Sequence, residues 1–336
     1  MKKPSMISVI VATYNQETTI ARTLDGILRQ KCHLPIEIVI GEDCSTDQTP
    51  HICDDYAERY PSQIRVIHNA HNKGIVDNYF DCLLACKGDL IADCAGDDFW
   101  VDEEKLEKQS CLMETDDSIT LVHTAWRPYN ELTQTTANMP QLPFTASVTD
   151  GRTMLQAIIT QTRVPVIHLC TSLYRADIIL REYHANPSLF RNKAWPCEDI
   201  QIVFALAMNG NIGYLPDITL YYSQGCETIS APKDIRKQFT FYQKATNLSY
   251  HLTERYNIRS SQTQRFFNRR AFAMLMYAFR VHDNNMRCEA IACQKRWKAD
   301  NTPSIILVKY ITAYEPLWLC ALALRQGFIK LKQLSH

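Results

Sequence analysis

The chain has 336 residues, enough for one large domain or two smaller ones around a substantial buried core. Lysine plus arginine equals aspartate plus glutamate at 36 each, so global charge singles out no partner. Thirteen cysteines with no C-x-x-C pair, an odd count in a long chain, argue against a disulfide framework and for buried, reduced thiols.

The N-terminal lysines precede an apolar run too short for a secretion signal, and ISVIVAT (Ile7–Thr13) reads instead as a strand covered on both faces. A cytoplasmic protein is the expectation. Over residues 18–31 the apolar positions Ile20, Leu24, Ile27 and Leu28 fall at helical spacing. IEIVIGE (Ile36–Glu42) predicts a second strand, and Ser45 or Asp47 a cap for the helix carrying Ile52, Cys53, Tyr56 and Ala57. IRVIH (Ile64–His68) predicts a third strand, a helix follows Gly74, and LIADC at 90–94 a fourth strand. Strict alternation of strand and helix predicts an α/β, doubly wound, mostly parallel sheet flanked by helices. Right-handed crossovers then gather the loops at the strands' carboxyl ends.

A helix is expected over 105–113 and a strand over 121–126. Residues 130–149 read as a long loop, 164–175 as strands and 198–208 as a helix opened by two acids. Beyond Pro232 the chain turns helical, basic and aromatic: residues 259–298 hold nine Lys/Arg against two Asp/Glu. The apolar 304–333 segment is interrupted by Lys309, Glu315 and Pro316. It reads as a pair of helices lying on a membrane face, with packing on the protein or a dimer interface as alternatives. Nucleic-acid binding is not supported, since Phe, Met and Leu dominate the basic stripe.

Polar clusters close the first four strands: Thr13-Tyr14-Asn15, residues 42–47, Asn72-Lys73-Gly74 and Gly96-Asp97-Asp98. Each alone is a turn signal, but in register they converge on one crevice. There is no G-x-G-x-x-G after the first strand and no P-loop, so glycine-cradled phosphates are unsupported. A site built from acids would instead hold a diphosphate through Mg²⁺ or Mn²⁺.

Taken together, ISVIVATYNQETTIARTLDGILRQ, EIVIGEDCSTDQT, NKGIVDNY and GDLIADCAGDDFW resemble the family 2 glycosyltransferases of GT-A fold over about residues 7–108, with weaker matches to about residue 230. The resemblance implies an inverting, hexosyltransferase-type enzyme of surface polysaccharide or lipopolysaccharide biosynthesis. It would move a sugar from a nucleotide sugar, UDP-linked by family habit, to a glycan or polyprenyl-linked acceptor. The competing reading is a non-catalytic nucleotide-sugar-binding or assembly protein with a degenerate metal site.

Carried over by position, Thr13, Tyr14, Asn15, Glu17, Asp43, Asp47, Asn72, Lys73, Gly74 and Asp97 correspond to nucleotide-binding positions. Asp97 and Asp98 correspond to the metal acids, and Asp199, with Glu198 beside it, to the catalytic base. The implied division is residues 1–230 as a GT-A catalytic domain, with 1–115 binding the nucleotide sugar and 116–230 serving acceptor and catalysis. Residues 231–336 then form a helical C-terminal region at the cytoplasmic membrane face. Two departures stand out: Ala95 replaces the first acid of D-x-D, and Tyr222 and Gln224 take the family's Arg and His places.

Asp93, roughly 13 Å along an extended strand from Asp97, reads as a structural acid. Trp195 could stack on an acceptor sugar or simply pack. Arg175 could reach acceptor or diphosphate, or be a surface cation. His168 reads as a hydrogen-bonded core residue.

Overall fold

The computed structural model describes residues 3–160, 166–224 and 232–334, and side chains as far as residue 327. The chain divides into two units, residues 1–226 and 227–336; the expected boundary at residue 230 lies outside the described residues, as does the start of the strand predicted from residue 164.

In the first unit the predicted alternation is realised as β1 (Ile7–Thr13), α1 (Ile20–Leu28), β2 (Ile36–Glu42), α2 (Thr49–Arg59), β3 (Ile64–His68), α3 (Ile75–Ala85) and β4 (Leu90–Asp93). The chain continues through β5 (Phe99–Trp100), α4 (Lys105–Thr115), β6 (Ile119–Asn130), β7 (Thr135–Thr136), β8 (Val148–Asp150) and α5 (Gly151–Thr160). After a 3₁₀ turn at Leu169–Thr171 come β9 (Leu173–Arg175), α6 (Ala176–Ala185), α7 (Pro187–Phe190), α8 (Asp199–Asn209) and β10 (Asn211–Gln224).

The sheet order is β3-β2-β1-β4-β9-β6-β10-β5. Its first four strands are parallel, and β6 and β10 are parallel to each other. Strand β9 runs antiparallel to both β4 and β6 and joins the two blocks. The continuous β-branched run of β1 follows from its central place: Ile7, Val9, Ile10 and Val11 are all essentially inaccessible, with helices covering the sheet. Ile20, Leu24 and Ile27 of α1 pack into the same core as Val9, Ile38, Leu90 and Trp100. That core positions the polar strand ends.

Two expectations are corrected. Within the described residues 166–175 only Leu173–Arg175 is strand, because His168–Ser172 closes on itself, the Thr171 and Ser172 amides donating to His168 and Leu169 carbonyls. The polar 130–149 stretch holds β7 and the start of β8, so it is pinned to β6 and β10.

The second unit holds α9 (Ile235–Arg255), α10 (Ser261–Val281), α11 (Asn284–Arg296), α12 (Pro303–Ala313) and α13 (Glu315–Leu334). Asp234, Ser260, Asp283 and Thr302 cap four of these through their side chains. The apolar stripe of α10 faces inward: Phe266, Phe267, Met274 and Leu275 pack with Trp297 in this unit's core. The basic-aromatic segment is thus core rather than a membrane face. Exposed apolar side chains gather instead on α12 and α13, at Ile306, Leu307, Tyr310, Tyr314, Leu319 and Leu324. Among the described residues no single helix is long and apolar enough to cross a membrane; α12 and the first part of α13, bent by 113°, meet the length and composition only together.

Candidate functional site

The loops after β1 and β2 are laced reciprocally. Asn15 sits in the left-handed region, which Asn tolerates, and its Oδ1 accepts the Thr46 amide at 2.8 Å while its own amide donates to Ser45 Oγ. Glu17 accepts the Gln48 amide and donates its own to Asp47, which also takes the Thr49 amide at the head of α2. Burial pushes the Asp47 carboxylate up, but the bonds from Thr49 and Glu17 outweigh it and hold it below the usual range. The expected cap is corrected: Gln48 holds the N-cap position of that helix without a side-chain cap bond, so neither Ser45 nor Asp47 is the N-cap, and Asp47 stands one residue before it. Tyr14 is left exposed, whereas Thr13 is buried with its hydroxyl donating to Gln16.

Asp43 reaches the next loop. Its carboxylate accepts the Lys73 and Gly74 amides and the Asn69 side chain, and is 2% exposed. Gly74 adopts a φ of 85°, which a side chain would strain. Asn72 is exposed, and Lys73 pairs with Asp81 at 2.8 Å, which also takes Arg191 at 2.7 Å. This ion-pair chain ties the third loop to the segment leading into α8.

After β4 the chain turns at once, the Asp98 amide donating to the Ala95 carbonyl, so an extended 93–97 spacing does not apply. Gly96 sits close against the β1 loop: a Cβ would overlap Gln16 Oε1 and come within 2.8 Å of Thr13 Oγ1, so Gln16 would have to swing aside. The turn separates the two acids. Asp97 is half-buried and raised above the carboxylate range by burial, with Glu131 adding to it. Asp98, 1% exposed, looks inward, accepts the Ser223 amide at 2.9 Å, and lies close to His168 and Cys170.

Ala95 supplies no carboxylate to a D-x-D pair, which leaves Asp97 and Asp98 as the expected metal acids; Asp98 already accepts the Ser223 amide and feels the Asp97 charge. No step below is routed through such an ion. The described residues do contain a possible metal-ligand group around Asp98.

The chemically suggestive feature is a nest of carboxyls. Glu198 caps α8 and Asp199 opens it. Burial raises both, Glu198 well above its usual range with the Asp199 charge adding. Asp93, at the end of β4, lies within electrostatic reach of both. Burial raises it to about 7, the Asp199 charge contributing. Both Asp93 oxygens are buried, with the Tyr79–Tyr174 hydroxyl pair beside them partly offsetting the burial. The signal for Asp93 in the sequence is an acid inside an apolar strand.

Arg22 was not anticipated. It lies over Phe99 at 3.9 Å, pairs with Glu131 at 2.6 Å and donates to the Asp97 carbonyl, tying α1 to the turn and to β6. Lys105, fully buried over Trp100 and bonded to Gln109, also escaped notice, because periodicity places a lysine outside.

The acceptor assignment of Arg175 is overturned. It pairs with Leu90, at the far end of β4, and its guanidinium donates to the Ile119 and Met113 carbonyls while 4% exposed. Trp195 is half-buried, its indole donating to the Leu189 carbonyl three residues before Glu198.

A family model described as Glycosyl transferase family 2 matches residues 8–181. The chain belongs to that family. An uncharacterised protein of Mycobacterium tuberculosis is 44% identical to this glycosyltransferase family 2 chain over 103 residues, 31% of the chain and 30% of that relative. The Escherichia coli UDP-Glc:alpha-D-GlcNAc-diphosphoundecaprenol beta-1,3-glucosyltransferase WfaP is 36% identical over 111 residues, 33% of the chain and 42% of WfaP. These matches thus span less than half the length of the relatives. S. aureus TarS, solved with UDP-GlcNAc, shares the fold at a TM-score of 0.55 and 16% identity, over 91% of this chain and 90% of that one. The α/β sheet flanked by helices is accordingly of GT-A type.

Proposed function

We propose that this family 2 member transfers a sugar from a nucleoside-diphosphate sugar to an acceptor hydroxyl, with Asp199 as the base. The observation that carries the reading is the Glu198–Asp199 pair beside Asp93, at the same sheet edge as the loops after β1, β2 and β3. The acceptor oxygen attacks the anomeric carbon as the bond to the diphosphate breaks, and its proton passes to Asp199. A single base with no carboxylate nucleophile gives inversion. Glu198 beside it is pushed further up than Asp199 by burial and by the Asp199 charge, so of the two Asp199 is the one that gives up its proton more readily.

Thr13, Tyr14, Asn15, Glu17 and Asp47 line the base and ribose side in this reading, Asn72, Lys73, Gly74 and Asp97 the phosphate side, and Trp195 the acceptor. Asp43 acts by fixing the Lys73–Gly74 amides. UDP is the favoured nucleotide because WfaP and TarS carry UDP-sugars in their names, and WfaP's lipid-linked acceptor supports a polyprenyl-linked glycan. The exposed apolar residues of α12 and α13, with Lys309 and Arg325 among them, support peripheral contact with the membrane that holds such an acceptor.

Calorimetric titration of UDP into the chain and its Asp199→Asn variant tests the assignment. Both should bind, and only the unmodified chain should transfer. Transfer by Asp199→Asn removes that residue as base.

A further inference from the structure

Asp98 stands beside ligands of a different kind. An Asp98 carboxylate oxygen, a His168 ring nitrogen and the Cys170 sulfur lie within 4.8 Å of one another. Each residue is fixed by backbone bonds, and the Cys170 sulfur also accepts the Ala95 amide at 3.4 Å, a bond that a metal-bound thiolate can keep. The His168 carbonyl accepts the Thr171 amide at 2.9 Å and the Thr171 hydroxyl at 2.6 Å. The Cys170 carbonyl accepts the Trp100 indole N–H at 3.0 Å, and Asp98 gives one oxygen to the Ser223 amide.

The surroundings are apolar and carry unmet polar capacity. Trp126 and Tyr222 rings flank His168 at 5.5 and 4.6 Å. His168 Nδ1 and Trp126 Nε1 are buried with no hydrogen-bond partner. Buried polar atoms are ordinarily bonded, so a core role satisfied by the protein alone is a poor account of His168.

We propose that Asp98, His168 and Cys170 bind a borderline-soft divalent cation, Zn²⁺ in type. One oxygen, one nitrogen and one sulfur ligand match the donor preferences of zinc, with a fourth position left open. Mg²⁺ demands oxygen ligands and is excluded by the sulfur and the imidazole. Ligands around tetrahedral zinc stand roughly 3.3–3.8 Å apart, so the donors close in by side-chain rotation alone. Binding replaces the thiol proton: Cys170 gives up H⁺ as the thiolate–zinc bond forms. The ion joins the β4–β5 turn, which carries Asp97, to the turn after His168. The other candidate group, Cys32, His33 and Glu107, is different in kind. It lies at the surface, and its imidazole is already bonded to Glu107 and Glu114 at 2.7 and 3.0 Å.

The test uses the full chain stripped with chelator and titrated with Co²⁺ alone, followed by competition with Zn²⁺ and Mg²⁺. One Co²⁺ per chain should give a thiolate-to-cobalt charge-transfer band that Zn²⁺ abolishes and Mg²⁺ leaves. Cys170→Ser should remove the band, and His168→Gln should weaken Zn²⁺ binding by roughly 100-fold or more, beyond what loss of a residue behind a ligand costs. Cys32→Ser should change neither. Zinc-edge absorption of the unmodified protein should show one sulfur at about 2.3 Å with nitrogen and oxygen near 2.0 Å, a readout independent of variant folding. Absence of the thiolate band, a band that survives Cys170→Ser, one lost in Cys32→Ser, or a zinc shell without sulfur overturns the proposal.

Discussion

The Gly74 amide donates to the Asp43 carboxylate at 2.8 Å, and the Lys73 amide takes the other oxygen at the same distance. The residue expected to meet a nucleotide base therefore clamps the loop after β3 onto the loop after β2. Asp43→Asn would turn one acceptor into a donor facing an amide N–H. It should destabilise the first unit by about 1–3 kcal/mol in urea unfolding and weaken UDP binding in calorimetry. An unchanged midpoint and affinity would remove the clamp from the account.

The acid limb of the rate profile should move with Asp93. Transfer needs an ionised base, so the rate falls as pH drops through the pKa of the Glu198–Asp199 pair, which lies above the usual carboxylate range. The Asp93 charge adds to that elevation. Asp93→Asn removes a like charge, and its kcat/KM limb should appear at lower pH. An unmoved limb means that Asp93 and the pair are not coupled.

Lys105 should leave a signature in stability. Burial lowers it to about 7, with the nearby Asp93 and Asp102 carboxylates partly offsetting. Below about pH 7 the lysine is charged both folded and unfolded, and the burial penalty is fully present. Above it, the folded state sheds the proton first, so stability rises with pH at up to about 1.4 kcal/mol per unit. Denaturant unfolding from about pH 7 to about pH 8.5 should show the unmodified chain gaining on Lys105→Met by this slope; parallel curves would contradict a neutral buried amine.

Much of this was written in the chain. The β-branched runs, helical spacing and strand-end polar clusters define the sheet from β1 to β4, because local patterning decides those elements. Residues 164–175 misled, since an apolar run fits a buried turn as well as a strand until the Thr171 and Ser172 bonds are known. Arg175 carried the right chemistry but faces away, and direction depends on β9 pairing, which is not periodic. Arg22 and Glu131 are 109 residues apart, beyond any local signal.

Membrane contact rests on the exposed apolar residues of α12 and α13. Leu307→Glu, at a side chain 57% exposed, should fold normally and lose co-sedimentation with vesicles rich in anionic lipid. Equal sedimentation of both proteins would assign that surface elsewhere.

The central claim is transfer from a nucleotide sugar with Asp199 as base. The most direct measurement is release of nucleoside diphosphate from a panel of UDP-, GDP- and dTDP-sugars, by the chain and by Asp199→Asn. At least one donor should be turned over, a UDP-sugar by the present reading, and the variant should lose that turnover while still binding the nucleotide. A panel in which no donor binds or reacts would contradict it.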